Sequence, residues 1–209
     1  MVKNIIFDFG GVIYNIDHLK TKEAFLKLGI KNFDELYGHA VQTQLFEDFE
    51  IGKISPFVFR NTIREHLPEN TSDKKIDQAW NALLVGFVKE RLELLEKVGK
   101  HYCTFLLSNT NQIHYQQYMR ELKMQNRFRN FLAAFDKLYF SHQVGMRKPD
   151  KRIFNFLIQD NSIKAEETVF IDDYDINISA ANSVGLRGLW LKPGQDLFDI
   201  FTQDGCLID

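Results

Sequence analysis

Apolar residues recur along the chain in short blocks that close on polar or charged residues. The first is Ile5-Ile6-Phe7, which runs into Asp8 and then, past Phe9, into Gly10-Gly11. Blocks of this length between turn signals predict strands buried on both faces, as in a parallel sheet. Residues 102–107 predict another, closing on Ser108-Asn109. A short strand is expected over 137–140, a strong one over 168–171 closing on Asp172-Asp173, and a last one over 186–191. Apolar positions three and four apart predict intervening helices over 88–98, 113–123, 150–159 and 175–183. Strands alternating with helices predict an α/β fold with a doubly wound parallel sheet.

From residue 17 to 87 the pattern is helical throughout, with candidate helices over 17–28, 32–37, 43–50, 55–66 and 72–86. Asp17 offers a cap for the first, and Gly52, Pro56, Pro68 and Asn70-Thr71-Ser72 punctuate the rest. Phe46, Phe49, Phe57, Phe59 and Trp80 stand at helical spacing and are expected to fill a separate small core. The organisation expected is therefore a core domain of residues 1–16 and 88–209, with an inserted helical domain over 17–87.

Length and composition fit that picture. The 209 residues are 44% hydrophobic and 26% charged, as in ordinary globular chains. A net charge of −2 leaves no basic footprint for nucleic acid. No run approaches the ~20 apolar residues of a membrane span. The chain enters its first strand within a few residues, with no cleavable apolar segment before it. The two cysteines, Cys103 and Cys206, make no disulfide framework, and Cys103 falls in a strand expected to be buried. A reducing, cytoplasmic setting is expected.

A parallel sheet gathers the C-terminal ends of its strands, where open α/β sheets place their ligands. Here those ends bring Asp8, Ser108-Asn109, Lys148 and Asp172-Asp173 toward one site. A carboxylate can act as a nucleophile and form an aspartyl-phosphate. Acids from two strands can hold one Mg²⁺, and a lysine with neutral donors can stabilise a transferring phosphoryl group. Ser108 is also suited to capping the next helix, a role compatible with anion binding. Arg147 reads as structural or solvated, and Glu47, Asp48 and Glu50 as a solvated helix face. His18, His39 and His114 are scattered and match no metal-ligand spacing.

These segments, in this order, resemble the haloacid dehalogenase superfamily: Ile6-Phe7-Asp8-Phe9-Gly10-Gly11-Val12, Leu107-Ser108-Asn109, Arg147-Lys148-Pro149 and Phe170-Ile171-Asp172-Asp173 with Asn177 beyond. At finer grain, Ser108-Asn109-Thr110-Asn111, Gly145 to Pro149, and Glu50 to Ser55 are similar to the bacterial α-D-glucose-1-phosphate phosphatases. The resemblance implies a Rossmann-like core with a C1-type helical cap, and a Mg²⁺-dependent phosphatase of a small phosphorylated metabolite, such as a sugar phosphate. It assigns Asp8 as nucleophile and metal ligand, with the Gly10 carbonyl, Asp173, Asp172 and Asn177 in or near the metal shell. Ser108 and the Asn109 backbone would bind the phosphoryl group, and Lys148 would neutralise both it and Asp8.

The chain departs from most phosphatases of this superfamily at Gly10, where they carry an acid for the leaving group. Dehalogenases lack that acid too, because a halide leaves without a proton. A 2-haloacid dehalogenase and a non-catalytic phospho-ligand-binding protein are thus competing readings. The intact Asp8, Lys148 and Asp172-Asp173 set speaks against both. Without an acid at position 10, esters of acidic alcohols are expected to react best.

Overall fold

The computed structural model describes residues 1–31, 33 and 40–208, leaving aside the side chains of 40–43. Its strands are β1 (Asn4–Phe7), β2 (Tyr14–Ile16), β3 (Leu84–Phe87), β4 (Cys103–Ser108), β5 (Lys137–Phe140), β6 (Thr168–Asp172) and β7 (Arg187–Trp190). The helices described are α1 (His18–Leu28), α2 (Ala40–Glu50), α3 (Pro56–Arg64), α4 (Asp73–Trp80), α5 (Lys89–Val98), α6 (Gln112–Met124), α7 (Phe128–Ala133), α8 (Ser141–Val144), α9 (Lys151–Asp160) and α10 (Asp175–Asn182). The expected helix over 32–37 falls almost wholly outside the described residues.

Five strands pair in parallel in the order β5-β4-β1-β6-β7. The central β1 is fully buried because helices cover both faces of the sheet. Its side chains alternate between them. Ile5 and Phe7 face a cluster with Leu92, Leu95, Tyr118, Leu122 and Phe131 of α5, α6 and α7. Ile6 faces Ile153, Phe154 and Leu157 of α9 and Ile178 of α10. Phe7 lies in register with Leu106 on one side and Ile171 on the other. Continued by one residue, that register sets Asp8 beside Leu107 and Asp172, with Ser108 and Asp173 one step beyond.

Residues 18–80 supply α1 to α4, which close around Phe25, Phe49, Phe59, Ile63, Ile76 and Trp80. Each such burial is worth roughly 1.5–3 kcal/mol. The caps follow local chemistry: Asp17 accepts the Leu19 N–H, Ser55 the Val58 N–H and Ser72 the Lys75 N–H. Two expectations fail here. Phe57 is 67% exposed, on the outer face of α3. The small core is also not separate, since Ile113 of α6 packs into it.

The helix expected over 72–86 ends at Trp80, and residues 84–87 form β3 instead. β3 pairs antiparallel with β2, so strands stand at both crossings between the helical lobe and the sheet. Gly86 has φ 145, which a helix does not use. The pairing with Tyr14 and Asn15 decides the conformation, a long-range contact that periodicity does not register. Cys103 is exposed rather than buried, because it opens β4 at the rim of the sheet. No helix among the described residues is long and apolar enough to cross a membrane.

Candidate active site

Asp8 follows directly on β1 and donates its backbone N–H to the Ile171 carbonyl at 2.8 Å, so the sheet's own ladder fixes it. Asp172 ends β6, and Asp173 opens the turn into α10. One carboxylate oxygen from each of Asp8, Asp172 and Asp173 falls within 4.8 Å of the others. The turn after β1 permits this closeness. Gly11 has φ 78, and a Cβ there would lie 2.0 Å from Asp173 Oδ2, so glycine is required where the backbone meets the carboxylate.

Lys148 comes in from a loop rather than a strand end, four residues past α8. It is 1% exposed. Its Nζ donates to Asp8 Oδ1 at 2.5 Å and to Asp172 Oδ2 at 2.7 Å. Its backbone is clamped by the Asn109 side chain, which donates to the Lys148 carbonyl at 2.8 Å and accepts the Lys148 N–H at 2.9 Å. Sequence reasoning assigned only the Asn109 backbone a role; the structure gives its side chain the task of aiming the lysine.

Asp172 is saturated. Oδ1 accepts from the Tyr174 N–H and Asn177 Nδ2, while Oδ2 accepts from Lys148 and Asn177 Nδ2. Asn177 therefore meets the acidic patch through Asp172, and its own Oδ1 is buried without a partner. Asp8 Oδ2 and the Asp173 carboxylate remain for a ligand. Ser108 is 2% exposed, and its hydroxyl makes one long contact, 3.5 Å to the Asn109 carbonyl. The cap of α6 is Asn111, which leaves Ser108 free of that duty.

Three carboxylates share one buried lysine, and their ionisation shows the imbalance. Burial pushes Asp8 up to about 7 against the pull of Lys148, with Asp172 and Asp173 adding repulsion. Burial and Asp172 raise Asp173 as well. The lysine is held above its usual range because Asp172 and Asp8 outweigh its own desolvation. Unrelieved negative charge, two carboxylates with open oxygens and hard oxygen donors fit a small divalent cation such as Mg²⁺.

Next to this patch, on the side of the Phe9-Gly10 and Ser108-Asn109 turns, is a chamber of about 110 Å³, whose wall includes Gly10, Ile16, Ser108, Asn109, Trp80 and Glu50. The last two come from the helical lobe, which is docked on the sheet by a few polar links. Trp80 Nε1 donates to Asn111 Oδ1 at 3.3 Å, and His114 Nε2 lies 3.1 Å from the Trp80 carbonyl. Ser141 Oγ sits 2.6 Å from the Glu50 carbonyl and accepts the Thr110 N–H at 2.9 Å. Arg147 reaches Glu47 at 3.0 Å and Glu50 at 2.9 Å. Arg147 is thus a bridge between the lobes. Of the acidic run read as a solvated face, Glu50 turns inward, while Asp48 pairs with Lys53. Ser141 carried no sequence signal, because its role depends wholly on the packing of distant segments.

The comparisons agree with this geometry. Residues 2–185 match the haloacid dehalogenase-like hydrolase family. The chain is 35% identical over 205 residues to D-ribitol-5-phosphate phosphatase of Bacteroides thetaiotaomicron, covering 94% of this chain and 95% of that one. It superposes with a TM-score of 0.85 on a haloacid dehalogenase family enzyme of the same organism, solved in complex with magnesium and inorganic phosphate. That pair is 36% identical, covering 96% of this chain and 100% of the other. A predicted hydrolase of the same kind from Porphyromonas gingivalis gives a TM-score of 0.81 at 30% identity, covering 95% of each chain. With the parallel sheet, the ordered strand-end residues and these likenesses in agreement, the chain belongs to the haloacid dehalogenase-like hydrolases, a family of enzymes.

Proposed function

We propose that this protein is a Mg²⁺-dependent phosphatase acting on a small phosphorylated metabolite, a phosphate monoester of a sugar or sugar alcohol. The observation that carries the reading is the buried Lys148 bridging Asp8 and Asp172, with Asp173 beside them, next to the turns of Gly10 and Ser108-Asn109 that help wall a small chamber. The relative named for D-ribitol 5-phosphate supports the substrate class, and the magnesium and phosphate in the Bacteroides structure support the cofactor. Glucose 1-phosphate, suggested by the finer sequence resemblance, belongs in the same class. The two free cysteines are in keeping with a reducing, cytoplasmic setting.

In this reading Asp8 attacks phosphorus, the bond to the leaving oxygen breaks, and an aspartyl-phosphate forms. Water then attacks that phosphorus, releasing phosphate and restoring Asp8. Asp8, the Gly10 carbonyl and Asp173 would hold the metal, with Asp172 and Asn177 around them. When bound, Mg²⁺ supplies charge neutralisation for the phosphoryl oxygens and for the crowded carboxylates. Lys148 favours the ionised form of Asp8, orients it, and also faces the incoming phosphate. The Ser108 hydroxyl and Asn109 backbone bind phosphoryl oxygens at the start of the turn into α6.

The test is a phosphate-release screen over phosphorylated metabolites, including D-ribitol 5-phosphate and α-D-glucose 1-phosphate, with Mg²⁺ and with EDTA. Release that requires Mg²⁺ is expected. No release from any ester would overturn the reading, and release undiminished by EDTA would overturn the metal requirement.

A further inference from the structure

Gly10 offers no side chain to protonate a leaving oxygen, and Ile16 packs beside it. A Cβ at Gly10 would lie 3.2 Å from Ile16 Cδ1. The titratable side chains that share the chamber wall with Gly10, Ser108 and Asn109 are His18, Glu50, His114 and Tyr118. His114 is committed. Its Nε2 serves the Trp80 carbonyl, its Nδ1 lies 3.0 Å from Asn111 Nδ2, and burial lowers it to about 4, leaving it neutral. Burial pushes the Tyr118 phenol far above its ordinary value, which makes it a poor proton donor at neutral pH. His18 is exposed at the first turn of α1.

Glu50 differs from all three. Its Oε2 is buried without a hydrogen-bond partner, although Arg147 Nε lies 2.9 Å away, because that N–H does not point at it. Its position is fixed from behind by the Ser141 hydroxyl on its carbonyl. The turn that follows, at Gly52, has φ 70 and touches the sheet domain so closely that a Cβ would meet the His142 carbonyl at 2.2 Å. The end of α2 is thereby seated on the core, with Glu50 among the residues that wall the chamber. Burial outweighs Arg147 and raises this carboxyl above the usual range, which suits a group that must both give and take a proton.

We propose that Glu50 is the general acid and base of the reaction, standing in for a side chain at position 10; this rests on the phosphatase reading above. Its protonated carboxyl gives a proton to the bridging oxygen as the bond from phosphorus to that oxygen breaks and the bond to Asp8 forms. The alcohol leaves neutral. The resulting Glu50 carboxylate takes a proton from water as the water oxygen bonds to phosphorus and the bond to Asp8 breaks. Phosphate is released and both residues return to their starting states. The acid comes from the helical lobe, so the proton path is complete only with that lobe seated on the sheet domain.

The experiment compares kcat/KM of wild type, Glu50→Gln and His18→Gln on two esters: the fastest alkyl phosphate found in the screen, and 4-nitrophenyl phosphate, whose leaving group needs no proton. kcat/KM reports the steps through loss of the leaving group. Glu50→Gln is expected to lower the alkyl ester by ~10²-fold or more while the aryl ester falls by less than about tenfold. The retained aryl activity shows that the variant is folded. Equal losses on both esters, no loss on either, or the ester-selective loss appearing in His18→Gln instead would overturn the assignment. So would wild-type protein that hydrolyses the aryl ester and no alkyl ester. Wild-type protein inert on both esters would overturn the phosphatase reading itself, and the assignment with it.

Discussion

Asp8 sits at the end of the fully buried β1 and shares one lysine with Asp172, so its loss is chemical rather than architectural. Asp8→Asn should abolish turnover and keep the fold, since an amide oxygen does not attack phosphorus. Steady-state turnover in purified variant, free of wild type, with circular dichroism as control, checks this. Asp173→Ala removes an open carboxylate from the patch and should cost ~10²-fold or more in Mg²⁺-supported activity. A titration of activity against Mg²⁺ should show a weakened metal response as well. That Asp8 and Asp173 would meet was legible because short apolar strands aim whatever follows them at one rim. The partners of Asn109, Ser141 and Glu50 were not, because each is set by a contact with a segment far away in sequence. Gly10 shows the limit in another way. Of the two glycines after Asp8, the left-handed backbone falls at Gly11 and not at Gly10. A Cβ at Gly10 meets only the Ile16 side chain, 3.2 Å from Cδ1 and 3.6 Å from Cγ2, so Gly10→Asp should fold with a small shift of Ile16. Its melting temperature, measured beside wild type, checks this.

At the scale of elements, the junction of α4 with α6 is the most exacting packing between the two lobes. Trp80 stacks on His114 with ring centroids 5.0 Å apart, and Asn111 serves Trp80, His114 and the start of α6 together. His114 must be neutral to fit. Its folded value is about 4 and its ordinary value 6.5, so its contribution to stability is complete above 6.5 and is lost progressively as pH falls toward 4. His114→Gln has no such proton to take up. The stability advantage of wild type over this variant should shrink by up to about 1.4 kcal/mol per pH unit across that window, as read by urea unfolding. Most elements were visible in the hydrophobic pattern, β1, β4 and β6 above all, because burial on both faces leaves little room for polar residues. β2 and β3 were not. A two-stranded ribbon of 3 and 4 residues, with Gly86 inside it, has no periodicity to read and exists because its halves meet.

At the scale of the molecule, the β2–β3 ribbon is the only strand pairing among the described residues that joins the crossings, and the polar links across the chamber are few. Opening should therefore pivot on the ribbon and break the Glu50, Arg147 and Trp80 contacts together. Vanadate with Mg²⁺ should protect the amides of 14–17, 84–88 and 48–53 from hydrogen exchange; unchanged exchange there would mark a fixed lobe. The division into a sheet with an inserted helical lobe was suggested by a change of period, but how the lobe seats was not, since seating depends on shape. The Trp80 contact also has an optical consequence. The chain has two tryptophans, and Trp190 lies 41% exposed at the end of β7. Trp80 is 3% exposed, stacked on an imidazole and set in the chamber wall. In a Trp190→Phe background the emission of a single native indole would report the state of the chamber, red-shifting as the lobes part. The protein carries its own fluorophore for timing closure by stopped flow, with no label added.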